Sequence, residues 1–284
     1  MLRVLVILAS TILVVSAARA EEPKPKPNPV PSQAANSPAA SETESQQFAR
    51  ARMLEMAKFL GQNDRFTVSI KIGYDVLQAN GQKIEFGEVR ELAVQRPNRA
   101  RILETAGHKG RDMMLFDGKF ITMFNGETGY YAKAPQPGDI DATVVNFVRD
   151  LQMRLPLAPM LMTTFDQELQ RRVQRVDYVE LTDVLGVPAH HIAARTANVD
   201  FQVWIADNEK RPLPLRIVLT YPSAEGQPQF RADFSKWNLS PRFNKATFEF
   251  KPPANAKQIP FAAQVLPLST QPQPAVDGSE GVQP

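Results

Sequence analysis

Residues 66–76 alternate strictly. Phe66, Val68, Ile70, Ile72, Tyr74 and Val76 are apolar, and Thr67, Ser69, Lys71, Gly73 and Asp75 lie between them. A period of two sends successive side chains to opposite faces of a strand, so this stretch predicts a strand with one apolar face. Asn80-Gly81 follows, a pair suited to the positive φ angles of a tight hairpin turn, and residues 84–86 start the return strand. Further short runs predict strands at 99–105, 113–116, 120–124 and 130–131, then at 178–181, 189–196 and 201–205. The series closes with 215–221, 230–237 and 247–250, and turn residues such as Asp117-Gly118 and Gly186-Val187-Pro188 separate the runs. Many short strands joined by tight turns predict one antiparallel sheet. With up to about eleven strands, such a sheet must curl.

The period changes to 3.6 in two places. Ala49, Met53, Met56, Ala57 and Leu60 recur at helical spacing, with Ser41 and Glu44 placed as an S-x-x-E capping box ahead of them. Val144, Val145, Phe147, Val148 and Leu151 form a second stripe, and residues 165–173 suit another short helix. Between these lies LPLAPMLM, residues 155–162, without a charge or a hydrogen-bonding side chain. Its two prolines stop it from continuing either helix. It reads as the bend of a helical lid over residues 141–173. The predicted fold class is α+β: a strongly curved antiparallel sheet, an unclosed half-barrel, with an N-terminal helix and the lid on its concave side.

The ends change the picture. Arg3 precedes an apolar run over residues 4–15, and Ala18-Arg19-Ala20 supplies an A-x-A site. This pattern predicts a secretory signal peptide cleaved after Ala20. The run is shorter than the roughly 20 apolar residues of a membrane-spanning helix, so the mature protein is not expected to be integral to a membrane. A lipid-anchored lipoprotein needs a cysteine, and the sequence has none. Residues 21–40 hold six prolines and almost no large apolar side chain. That composition predicts a disordered tether, and residues 262–284 predict a similar tail. A single domain over 41–261 remains between them. Loss of Arg3 and Arg19 with the signal lowers the formal charge from +3 to +1. No clustered positive face is implied, and nucleic acid is not an expected partner.

In order along the chain stand R-P-N-R-A-R at Arg96 to Arg101, F-D-G-K at Phe116 to Lys119, L-P-L-A at Leu155 to Ala158 and His190-His191. Trp204-Ile205, R-P-L-P-L at Arg211 to Leu215, F-S-K-W-N at Phe234 to Asn238 and F-E-F-K-P-P around Phe250 complete the set. With these motifs the chain resembles a family of predicted periplasmic proteins of unknown function, and through it the LolA/LolB-like lipoprotein-carrier fold. The resemblance covers most of residues 49–261. It implies an unclosed β-barrel with a helical lid over an apolar cavity. It does not imply lipoprotein transport.

Candidate chemistry is sparse. His190 and His191 are neighbours on a predicted strand and would face opposite ways, so both cannot reach one metal or substrate. No H-E-x-x-H or G-x-S-x-G motif occurs, and no cofactor, metal or catalytic residue is predicted. A hydrolase using either histidine is the weakest of the readings. Arg96, Arg99, Arg101 and Arg111, with Arg171, Arg172 and Arg175, suit either a headgroup contact or a solvated face balanced by Glu85, Glu88, Glu91 and Glu104. Met113, Met114, Met123, Met153, Met160 and Met162 suit either ordinary core or a surface that adapts to varied apolar ligands.

The function expected first is a non-enzymatic periplasmic binding or carrier protein for an apolar ligand: an acyl chain, a lipid or a lipoprotein. Its lining or lid would comprise Val68, Ile70, Ile72, Tyr74, Met114, Phe116, Val148, Leu151, Leu157, Met160, Leu161 and Phe165. The alternative is a module of the same fold with a self-filled core that binds a periplasmic protein, as an interaction partner or sensor.

Overall fold

The computed structural model describes residues 41–107, 110–147 and 156–261. The signal, tether and tail expectations lie outside them, as do residues 148–155 of the lid. The chain opens with α1 (Glu44–Gln62). Its cap is Thr43, not Ser41: Gln46 N–H donates to Thr43 Oγ1 (3.3 Å) and Thr43 N–H donates to Gln46 Oε1 (3.0 Å). Both S-x-x-E and T-x-x-Q are present in this stretch, and the second is the pair that closes reciprocally on the helix's first free N–H groups. Thr43→Ala is therefore expected to lower stability by about 1 kcal/mol, whereas Ser41→Ala leaves the thermal midpoint unchanged. Thermal unfolding of the two variants side by side checks this.

Six strands follow: β1 (Arg65–Leu77), β2 (Lys83–Gln95), β3 (Arg99–Thr105), β4 (Asp112–Phe116), β5 (Phe120–Phe124) and β6 (Tyr130–Pro135). After the short helix α2 (Ile140–Val145), a 3-10 turn (Ala158–Leu161) and α3 (Phe165–Arg172), the chain adds β7 (Arg175–Val184), β8 (Val187–Arg195), β9 (Asp200–Ala206), β10 (Pro214–Thr220) and β11 (Gln229–Asn238). A three-residue strand, β12 (Lys257–Ile259), ends the series.

The described strands form one twelve-stranded sheet in the order β12-β6-β5-β4-β3-β2-β1-β11-β10-β9-β8-β7. It is unclosed, with β7 and β12 at its edges. Neighbours pair antiparallel except β12, which runs parallel to β6, so the sheet is mixed and not purely antiparallel. Residues 247–250 are not a strand. Asn244 caps a 3-10 turn (Lys245–Phe248) by accepting from Thr247 N–H (3.0 Å), which spends the local backbone donor inside a turn.

The helices share one face of the sheet. Ala49, Met53, Met56, Ala57 and Leu60 of α1 are buried there, in one core with Ile192, Val203, Ile205 and Ile217. Burying each large apolar side chain contributes roughly 1.5–3 kcal/mol, against the conformational entropy of ordering the helix. Gly61 lets the end of α1 come close to the segment after the 3-10 turn. A Cβ at that position would lie 2.6 Å from the Thr163 carbonyl oxygen.

Candidate functional site

The register builds three parallel rows across β1 to β5. Phe66, Val94, Ala100, Phe116 and Ile121 form the first row, and Val68, Leu92, Ile102, Met114 and Met123 the second. The third row is Ile70, Arg90, Glu104 and Asp112. Two apolar rows thus end against a charged one.

A cavity of about 110 Å³ lies over these rows. Its floor is Ile70, Leu92, Ala100, Ile102, Met114, Phe116 and Ile121. Its cover is Ile140, Thr143, Val144 and Phe147 on one side and Pro156, Leu157, Ala158 and Leu161 on the other. Ala100 in the floor and Ala158 in the cover contribute only methyl groups, which helps leave the space unfilled. Thr143 Oγ1 is already satisfied, donating to the Asp139 carbonyl at 2.8 Å. Arg90 is the remaining polar residue of the lining.

The two parts of the cover are tied together. Asp139 caps α2 by accepting from Ala142 N–H (2.8 Å). The Asp141 carboxylate accepts from Thr163 N–H (2.9 Å) and from the Thr163 hydroxyl. Arg96 fixes the same assembly to α1. It donates to the carbonyls of Asn63 (3.1 Å), Leu60 (3.4 Å) and Leu161, and burial lowers its pKa despite Asp141 and Asp64 nearby.

The charged row is largely buried. Glu88 is 9% exposed. Arg90 Nη2 lies 2.5 Å from Glu88 Oε1, and Arg90 Nε donates to Glu104 Oε2 at 3.1 Å. Burial, foremost, pushes the Glu104 carboxyl up to about 7; Arg90 opposes this, and the neighbouring Glu88 and Asp112 add to it. Burial and the charges of Glu88 and Glu104 also raise the Tyr74 hydroxyl.

The structure separates the candidate lining residues into groups. Ile70, Met114, Phe116, Leu157 and Leu161 meet around the cavity. Val68, Ile72, Met160 and Phe165 are buried in the core, with Tyr74 packed against it. Val148 and Leu151 lie outside the described residues. Of the methionines, Met114 lines the cavity, Met123, Met160 and Met162 are core, and Met113 packs under Phe248 on the other face. The expectation that Glu88 and Glu104 are solvated is overturned. They share strand parity with Leu92 and Ile102 and so face inward. Sequence reasoning missed Arg90, although its parity with Leu92 and Val94 was available in the sequence.

His190 and His191 lie on opposite faces. His190 sits under Phe48, bonded to Tyr178 (3.2 Å) and Asp207 (3.0 Å). His191 stacks on Trp204 with ring centroids 4.1 Å apart. Among the described residues no three His, Asp or Glu side chains are grouped to hold a metal ion, and no helix is long and apolar enough to cross a membrane. Arg171 and Arg172 share Glu168, and Arg175 pairs with Asp177, so each of these arginines has a carboxylate partner at the surface. A wider hollow of about 370 Å³ is edged by the Arg175–Asp177 and Arg195–Asp200 pairs, whose charges also cancel.

No curated protein matches the chain. Among solved structures it is similar to an uncharacterized conserved protein from Thermus thermophilus, at 9% identity and a TM-score of 0.45 over 76% of this chain and all of that one. It is similar to a LolA superfamily protein from Nitrosomonas europaea at 10% identity and a TM-score of 0.37, covering 71% and 97% of the two chains. The Pseudomonas aeruginosa MucA/MucB complex gives 16% identity and a TM-score of 0.41, covering 72% of this chain and 61% of that one. A family profile matches residues 49–262, and the chain belongs to that family, described as predicted periplasmic protein (DUF2092).

Proposed function

We propose that this is a non-enzymatic periplasmic binding protein that holds an apolar group between β1–β5 and the cover formed by α2 and the Ala158–Leu161 turn. Cleavage after Ala20 and a tether over residues 21–40 would deliver the domain 41–261 to that compartment. One observation carries the reading: the cavity lining is apolar except for Arg90 and a satisfied threonine. An apolar cavity of about 150 Å³ accepts benzene, so about 110 Å³ suits a group of roughly four or five carbon atoms. The ligand is therefore a short apolar moiety or the end of an acyl chain, with a half-barrel opening further only for a longer one.

Mass spectrometry of lipids extracted from the native protein tests this, together with uptake of a fluorescent short-chain lipid. Ala100→Leu places a branched side chain in the floor. It is expected to reduce uptake at least tenfold while changing the unfolding midpoint little. Absence of bound lipid together with absence of uptake by the wild-type protein sinks the reading.

A second reading, a protein-binding module, is favoured by the β7–β8 hairpin. Leu181, Leu185, Val179 and Val187 are exposed there along the free edge of the sheet, a surface that supports pairing with another chain. Crosslinking in periplasm should then capture one stoichiometric partner, and loss of that product in Leu181→Lys would locate it.

A further inference from the structure

Arg90 is the charged residue of the cavity lining, and part of its guanidinium is unspent. Its Nε donates to Glu104 Oε2 (3.1 Å), and its Nη2 lies 2.5 Å from Glu88 Oε1. Nη1 has no acceptor among the described residues and is not sealed off by its neighbours. The Thr143 hydroxyl, the other polar side chain of the lining, already donates to the Asp139 carbonyl (2.8 Å). Among the described residues, Nη1 is therefore the side-chain donor that this lining can still offer. Glu88 already meets the charge of the guanidinium, so a ligand finds an N–H there and not an unmatched cation. A neutral acceptor satisfies that N–H at little desolvation cost, whereas an ionised head must shed its water in an otherwise apolar space.

We propose that the cavity takes apolar chains headed by a neutral carbonyl, as in an acyl ester, whose oxygen accepts from Arg90 Nη1 while the chain lies over Leu92, Ile102 and Met114. The inference rests on the carrier reading and names the ligand class of the same site. The strand register supplies the spacing. Arg90 stands in the row of Ile70 and Glu104, and the next row on that face is Val68, Leu92, Ile102 and Met114. Rows two residues apart along a strand are separated by about 7 Å, which a chain of about five carbons crosses. A carbonyl at Arg90 thus sends the chain's end towards Ala100 and Phe116, in the row beyond.

Methyl hexanoate, hexyl chloride and hexanoate, each competing with the neutral fluorophore N-phenylnaphthylamine on delipidated full-length protein, separate the possibilities. The chloride has the ester's apolar chain without its acceptor, and hexanoate replaces the ester by a charge. Losing a hydrogen bond to a charged donor weakens binding by about tenfold or more. Arg90→Met should therefore weaken methyl hexanoate about tenfold and change hexyl chloride less than about twofold. Hexanoate is expected to bind wild type more weakly than its methyl ester, and Ala100→Leu should weaken both neutral ligands. The isotope-labelled ester carbonyl should absorb at lower wavenumber on wild-type protein than in hexane, and lose that shift in Arg90→Met. Should Arg90→Met not fold, Glu88→Leu/Arg90→Met removes the ion pair as a unit and carries the same comparison. Equal losses of ester and chloride, an unshifted carbonyl, or tighter binding of hexanoate than of its ester overturns the inference and leaves the carrier reading standing. If none of the three binds, the carrier reading falls and takes this one with it.

Discussion

Arg96→Met is expected to destabilise the protein by about 3 kcal/mol, seen as a lower urea midpoint at an unchanged denaturant slope. The guanidinium donates to the carbonyls of Leu60 and Asn63 at the end of α1 and of Leu161 in the cavity cover. The last carbonyls of a helix have no partner within it, and its C-terminal end carries partial negative charge that a cation stabilises. Charged hydrogen bonds contribute roughly 1.5–3 kcal/mol each, and losing a donor leaves the buried acceptor unsatisfied. The three bonds share one side chain and do not add fully, so about 3 kcal/mol is the expected total. Arg96→Lys should recover less than half, because one ammonium cannot span three acceptors set in a fork. Amide exchange should quicken at residues 158–161 before the rest of the sheet responds. A loss below about 1 kcal/mol would show that the carbonyls find other donors.

Much of the sheet was legible in the sequence because its signals are local. The alternation of residues 66–76 needs no partner to be recognised, and Phe66, Val68, Ile70 and Ile72 are buried on one face of β1. The helical stripe from Ala49 to Leu60 is legible for the same reason, and it is buried as a unit. What was not legible depends on partners far along the chain. β12 has three residues and no pattern of its own, and its identity comes from pairing with β6. At residues 245–248 the alternation of Thr247, Phe248 and Phe250 imitates a strand, and the side chain of Asn244 decides for a turn.

The site was legible in part. That an apolar insertion would face the sheet follows from its composition, and Leu157 and Leu161 do meet Met114 and Phe116 there. The position of the cavity within that interface follows from the sizes of Ala100 and Ala158, which are small only relative to neighbours brought together by folding. The charged row was misread because mixed charges along a strand usually mean solvent. Parity with Leu92 and Ile102 turns Arg90 and Glu104 inward instead.

Glu104→Gln should therefore stabilise the protein above about pH 4.5, with the full effect reached above about pH 7. The folded state holds the Glu104 carboxyl at about 7, against an ordinary value of 4.5. A group whose pKa is raised on folding binds its proton more tightly in the folded state, so its contribution to stability is full below about 4.5. It is lost progressively as pH rises through 7. Each tenfold gain in proton affinity on folding corresponds to about 1.4 kcal/mol, and partial exposure to solvent reduces the whole effect to about 2 kcal/mol. Glutamine has the same shape, keeps an oxygen for Arg90 and never ionises, while Glu88 remains to pair with the guanidinium. At pH 8 the variant should be more stable than wild type by about 2 kcal/mol. At pH 4 the two should unfold together. Groups that do not interact with Glu104 titrate equally in both proteins and cancel in the comparison. Asp75 is one, where burial is outweighed by Arg231 and the backbone N–H of Gln229, so that its pKa is lowered. A variant less stable than wild type at pH 8 would mean that the ionised Glu104–Arg90 pair supports the fold.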